Sequence, residues 1–227
     1  MKKITIVMIA LIISVASFAQ KKVSGGLFVG TNLSWYSFDS RLVSNDGVKL
    51  GYQFGAMIDF NLIDNFALST GINFNSMGGN QTYENGVHNF SRNDLADTTI
   101  TGPNTISYKM DYLEIPFGFK GKTNEIGYFT YYMKAGVTPG INISAKADVT
   151  VNSNDIITAE RKLFNMGWYL GGGFEWSLQG NTRFVTEVLY TGGIFDTDKT
   201  EVVRDNNTSD NVRASLSSVA LKIGILF

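Results

Sequence analysis

Val23-Ser24-Gly25-Gly26-Leu27-Phe28-Val29-Gly30-Thr31-Asn32-Leu33-Ser34-Trp35 falls into two rows when every second residue is taken. The odd row is Val23, Gly25, Leu27, Val29, Thr31, Leu33 and Trp35; the even row is Ser24, Gly26, Phe28, Gly30, Asn32 and Ser34. Successive side chains of a strand point to opposite faces, so this is a strand with one apolar face and one small, polar face. The contrast recurs outward along the chain. Leu50, Tyr52, Phe54, Ala56, Ile58 and Phe60 oppose Gly51, Gln53, Gly55, Met57 and Asp59, and Phe66, Leu68, Thr70, Ile72 and Phe74 oppose Ser69, Gly71, Asn73 and Asn75. Near the end, Val219, Leu221, Ile223, Ile225 and Phe227 oppose Ser218, Ala220, Lys222 and Gly224. A row of Ser, Asn and Gly makes a poor dry core. In a soluble sandwich it faces water and the aromatics pack inside; in a membrane barrel the aromatics face lipid and the polar row faces a narrow lumen.

Segment by segment, the pattern predicts eight strands: Lys22 to Tyr36, Lys49 to Phe60, Phe66 to Met77, Ser107 to Lys120, Tyr128 to Ala145, Leu163 to Trp176, Arg183 to Ile194 and Ala214 to Phe227. Each is long enough to cross the hydrocarbon layer at a tilt, which takes about 9–11 residues. Connections after the second, fourth and sixth are short, and those after the first, third, fifth and seventh are long and polar. That alternation separates barrels with short periplasmic turns and long extracellular loops from a soluble meander. The expectation is all-β: an eight-stranded antiparallel transmembrane β-barrel, closed so that every backbone group is paired in lipid. A secreted, lipocalin-like soluble barrel is the competing eight-stranded reading, and it requires the apolar row inside.

Composition agrees. The 227 residues are 44% hydrophobic and 17% charged, with 24 Gly, 3 Pro and no Cys, which excludes a disordered chain and a disulfide scaffold. Net charge is −1 with no basic block, so nucleic acid is not an expected partner. Lys2 and Lys3, the apolar run Ile4 to Val15 and Ser17-Phe18-Ala19 read as a signal peptide over residues 1–19 cleaved after Ala19, with a barrel domain over 20–227. The apolar run, about 12 residues, is too short to span a bilayer as a helix.

Two breaks in the alternation and the aromatic placement refine this. Tyr108, Met110 and Tyr112 share one parity while Leu113, Ile115, Phe117 and Phe119 share the other, which predicts a β-bulge near Tyr112. Pro116 fits a bulge or strand end, and Pro139 a bend or the exit from the membrane. Trp35, Trp168, Trp176, Tyr52, Tyr112, Tyr131 and Tyr190 fall near segment ends, as aromatic girdles do. Phe227, a terminal aromatic on the apolar parity, resembles the C-terminal insertion signal of outer-membrane barrels.

Tyr112-Leu113-Glu114-Ile115-Pro116-Phe117-Gly118-Phe119-Lys120, Gly30-x-Asn32-Leu33-Ser34, Glu187-x-x-Tyr190-x-Gly192 and the Ala19-Gln20 processing site are similar to the PorT-like family of small outer-membrane barrels of Bacteroidota. The resemblance covers essentially the whole mature chain and implies an eight-stranded barrel in the outer membrane. The member that gives the family its name takes part in protein secretion. Val188-Leu189 departs from the pattern, standing where a small residue followed by a basic one is expected, which implies a rearranged lumen network.

By parity, Asp59, Glu114, Glu175 and Glu187 point into the lumen with Lys134 and Lys222. An eight-stranded barrel is only wide enough for side chains to fill it, so these charges are expected to pair as a structural plug. Catalysis is not expected. His88, with Glu84, Ser91, Asp94 and Asp97, is the only place a Ser-His-Asp set could assemble, and no nucleophile motif accompanies it. Asp196-x-Asp198-x-Thr200-Glu201 lacks the spacing of an EF-hand, and Gly171-Gly172-Gly173 lacks the helix and Lys-Ser/Thr of a phosphate loop, so no metal or cofactor is expected. The second (Gly78 to Ile106) and fourth (Phe195 to Arg213) long loops carry more acids than bases. The expected function is a non-catalytic envelope scaffold, or else a transport barrel for a small or greasy solute. Expected partners are outer-membrane lipid and lipopolysaccharide, the barrel-assembly machinery, and a protein partner held by the long loops.

Overall fold

Alternating rows of this kind can satisfy their backbone in lipid only by closing on themselves, and the computed structural model shows that closure. It describes residues 23–38, 43–83, 87–90, 98–101, 104–149, 155–158, 162–195, 201–203, 209–211 and 213–227, and the leader expected at 1–19 lies outside them. The wall is formed by β1 (Val23–Phe38), β2 (Lys49–Ile63), β3 (Phe66–Tyr83), β4 in two segments (Asn104–Glu114 and Phe117–Lys122), β5 (Phe129–Val149), β6 (Phe164–Gln179), β7 (Thr182–Gly193) and β8 (Ala214–Leu226). Each strand pairs antiparallel with the next. The ring closes where β8 pairs with β1, from Gly26↔Leu226 to Phe38↔Ala214. It is an eight-stranded antiparallel barrel.

The apolar rows lie outside. Leu27, Leu50 and Phe119 are 65%, 72% and 67% exposed, whereas Ser34, Gln53, Asn73 and Asn75 are buried within the ring. This rules out the soluble barrel, whose apolar row would be the inner one. Turns at the end carrying Val23 and Phe227 are tight. Gly180, between β6 and β7, has φ +64°, a left-handed conformation that a residue with a Cβ adopts only at a cost.

Two expectations are corrected. The bulge near Tyr112 is not in β4. Tyr108, Met110, Tyr112, Glu114, Gly118 and Lys120 are all buried on one continuous inner row, and β4 keeps a constant register against β3 through both segments, from Tyr83↔Asn104 to Phe66↔Gly121. The irregularity lies on β5, where Asp111↔Ser144 is followed by Tyr112↔Asn142 and Ile143 is the extra residue. The hydrophobic parity switches only because the inner row of β4 is itself aromatic at its extracellular end. Tyr112 is therefore not a girdle residue; it is 1% exposed inside the barrel. Pro139 lies within β5, paired to Met166 on β6. Pro116 sits in the two-residue break of β4, as a residue with no N–H to give a ladder should. There Ile115 N–H donates to Pro139 O at 2.9 Å and Thr70 Oγ1 donates to Pro116 O at 2.9 Å.

Beyond the extracellular rim the chain keeps strand structure. Val43–Asn45 pairs with β3 and Asp155–Thr158 with β5. The second and fourth long loops join in a separate four-stranded sheet through Val202↔His88 and Val203↔Val87.

Candidate functional site

The inner rows converge on a lumen arranged in tiers. At the periplasmic end Lys120 (β4) stands between Asp59 (β2) and Glu175 (β6), its Nζ 2.6 Å from Asp59 Oδ2 and 2.6 Å from Glu175 Oε1. Arg183 Nη1, at the start of β7, donates to the other Glu175 oxygen at 2.5 Å. The Lys120 ammonium also lies 4.1 Å from the ring centroid of Tyr132, a cation–π distance. Lys122 closes the mouth, donating to Asn61 Oδ1 at 2.6 Å.

One step inward, Glu187 (β7) accepts from Lys134 Nζ at 2.6 Å and from Tyr132 OH at 3.1 Å, with Lys222 Nζ 3.9 Å from its second oxygen. Lys120 and Lys134 are direct cross-strand neighbours, an arrangement that repels unless each finds its own anion. Each does: Lys120 turns to Asp59 and Glu175, Lys134 to Glu187. Room for the second pair comes from the glycine run. Gly171 lies opposite Lys134 and Gly173 opposite Glu187, and a Cβ at Gly173 would collide with the β7 backbone. The run marks close packing inside a strand.

Among the described residues, no cation is in contact with the third tier. Glu114 accepts from Asn73 Nδ2 at 2.7 Å and Asn75 Nδ2 at 3.0 Å. Asn75 Oδ1 in turn accepts from Asn32 at 3.0 Å, and Asn73 donates to Gln53 Oε1 at 3.3 Å. Asn32 and Ser34 also reach the β3 backbone, through Ser76 O and both polar groups of Gly78. Above this the lumen is filled largely by aromatic side chains and Met110, with Gln81 buried among the inner rows and Lys49 Nζ donating to Ser107 Oγ at 2.7 Å. Tyr36 and Tyr108 meet edge to face at 6.1 Å, and the hydroxyls of Tyr36 and Tyr112 point at Met110 Sδ.

All six charged residues expected in the lumen, Asp59, Glu114, Lys134, Glu175, Glu187 and Lys222, lie on inner rows, but Glu114 pairs with amides and not with a lysine. Sequence reasoning missed Lys120 and Arg183, which sit at strand ends; their even and odd positions on β4 and β7 were the available signal. Leu189, where the PorT-like pattern expects a base, is buried inside against Tyr169 and Ala220. Phe227 is exposed, with its backbone paired to Gly25. Of the loop candidates, Glu84, Ser91, Asp94, Asp97, Asp196, Asp198 and Thr200 lie outside the described residues, and His88 and Glu201 are placed by backbone alone.

Residues 18–199 match the family described as outer membrane protein beta-barrel domain. The chain belongs to that family. It is an outer-membrane barrel, and solved structures of the same kind resemble it in fold. The outer membrane protease OmpT of Escherichia coli is 12% identical, with 92% of this chain and 97% of that one covered and a TM-score of 0.49. A major outer membrane protein of Thermus thermophilus is 12% identical over 89% and 98%, TM-score 0.45. OprG of Pseudomonas aeruginosa is 15% identical over 90% and 92%, TM-score 0.43. No curated protein matches the sequence.

Glu114→Gln is expected to destabilise the refolded barrel by about 1–3 kcal/mol, because one carboxamide oxygen cannot serve both amide donors and its own NH2 faces a donor. The urea midpoint in lipid vesicles measures this, and an unchanged midpoint refutes the assignment.

Proposed function

We propose that this outer-membrane barrel is a non-catalytic scaffold of the Gram-negative envelope, closed to solutes, that engages a protein partner through its long extracellular loops. The observation behind this reading is the filling of the lumen: three polar tiers topped by Tyr36, Tyr108, Met110 and Tyr112, each no more than 2% exposed. A link to protein secretion, as in the PorT-like family, has support from the resemblance motifs. Asn32, Glu114 and Glu187 all face the lumen, and the first two are joined through Asn75. In this proposal residues 1–19 direct export, Phe227 is read by the assembly machinery, and the lumen charges act as a structural plug.

Planar bilayers test it. The mature chain, with heat-modifiable gel mobility checked on the same sample, should insert without steady conductance, and Lys134→Ala should remain silent. Steady conductance in the wild type, altered in the variant, overturns the scaffold in favour of a transport barrel.

A further inference from the structure

Glu187 and Lys222 are direct cross-strand neighbours on β7 and β8, yet their charged ends do not meet. Glu187 is 4% exposed, and only one of its carboxylate oxygens is served. Oε2 accepts from Lys134 and Tyr132, whereas among the described residues Oε1 has no hydrogen-bond donor. Lys222 Nζ stands 3.9 Å from Oε1, beyond hydrogen-bond reach, and 4.8 Å from the ring centroid of Phe28. Its stem lies over Gly30 on β1, where an added Cβ would come within 3.2 Å of Lys222 Cγ. A buried carboxylate oxygen left without a donor is costly, and a polar contact of this length is the kind a bridging molecule fills.

Both residues line a cavity of about 30 Å³ inside the ring, whose other polar side chains are Ser69, Lys134 and Tyr169. Gly224, the next residue on the inner row of β8, also borders it and brings no side chain into it. A single water needs about 10–15 Å³ of such space, so the cavity has room for one or two, and it falls far below the roughly 300 Å³ at which organic ligands begin to fit. The chemistry of the lining separates the occupants of that size. A halide would accept from Lys222 but leave Glu187 Oε1 without a donor and set a second negative charge facing it. A metal cation would serve Glu187 against the repulsion of two ammonium groups. A neutral molecule that both donates and accepts satisfies the carboxylate and the ammonium together.

We propose that this cavity is a binding site for an ordered water that accepts from Lys222 Nζ and donates to Glu187 Oε1. Lys222 thereby belongs to the second tier through solvent, while Lys134, reaching across from β5, holds the same carboxylate directly. The Tyr169 hydroxyl, which rests where a Cβ at Gly118 would stand 2.4 Å away, borders the cavity as a further partner for the water, bringing it to the three hydrogen bonds that buried waters typically make. The inference rests on the lumen geometry and is independent of whether the loops hold a protein partner.

A high-resolution crystal structure of the mature barrel tests this, with parallel crystals grown in bromide and crystals of Lys222→Met and Lys222→Gln. A water within about 3 Å of both Lys222 Nζ and Glu187 Oε1 is expected in the wild type, with no anomalous bromide peak in the cavity. The water should be lost from Lys222→Met, where the Lys134–Glu187 contact stays, and kept in Lys222→Gln, whose amide can still donate to it. Heat-modifiable mobility checks that each variant is folded, and Lys222→Leu replaces the methionine variant if that one fails. A direct Lys222–Glu187 contact with no density between them, a bromide peak in the cavity, or a water that persists in the folded apolar variant each overturns the proposal.

Discussion

Lys120→Met is expected to lower the unfolding free energy of the barrel by about 3–5 kcal/mol, the cost of leaving a buried ion cluster without one partner. Asp59 and Glu175 are 2% and 0% exposed and each has an oxygen 2.6 Å from the one ammonium. Methionine preserves much of the side-chain volume, so the loss reports charge more than packing. Arg183 cannot take over, since its contact is with the far oxygen of Glu175, and among the described residues no second cation is paired with Asp59. The urea midpoint of the refolded protein in lipid vesicles measures the effect. D59N/K120M/E175Q provides the decisive contrast: with all three charges neutralised the midpoint should recover most of the loss, because a buried cluster costs about as much to desolvate as its attraction returns. A single variant as stable as wild type would mean that water reaches this tier and screens it.

The architecture was legible because lipid leaves so few solutions. Period-two rows from Val23 to Trp35 and from Val219 to Phe227, and short connections alternating with long ones, specify a closed ring before any coordinate is known. The lumen was half legible. Parity tells which face a side chain takes, and so placed Asp59, Glu114, Lys134, Glu175, Glu187 and Lys222 inside. Partnership depends also on height, which is set by the stagger of every strand against the next. Asn73 and Asn75 therefore reach Glu114 by a register that no single strand reveals. The bulge assigned to β4 failed for a different reason. Tyr108, Met110 and Tyr112 are apolar residues on the inner face, and a reading that equates apolar with lipid must invent a shift to accommodate them. In a barrel this narrow the inner row is chosen for volume as well as polarity, and tyrosine fills a lumen well.

That distinction makes the lipid face the sharper test of orientation. Val188→Arg is expected to cost about 2–4 kcal/mol, the penalty for a guanidinium on the outer surface near the bilayer midplane. Val188 is exposed on β7, paired with Leu221 on β8 and Gly172 on β6, and its neighbour Glu187 faces the lumen at the same height. Ser37→Arg places the same charge on the same outer surface at the extracellular end of β1, where the cost should fall to about 0–1 kcal/mol as the side chain reaches the headgroups. Refolding into vesicles followed by urea titration gives both values, and the depth dependence is what separates lipid from water as the medium outside the barrel. Equal costs at the two positions would mean that Val188 does not face hydrocarbon, and the outward assignment of the apolar rows would fail with it. A large cost at Val188 alone puts the hydrocarbon layer at the level of the Lys134–Glu187 tier, where a paired charge inside the ring and an unpaired one outside it differ by a single residue in sequence.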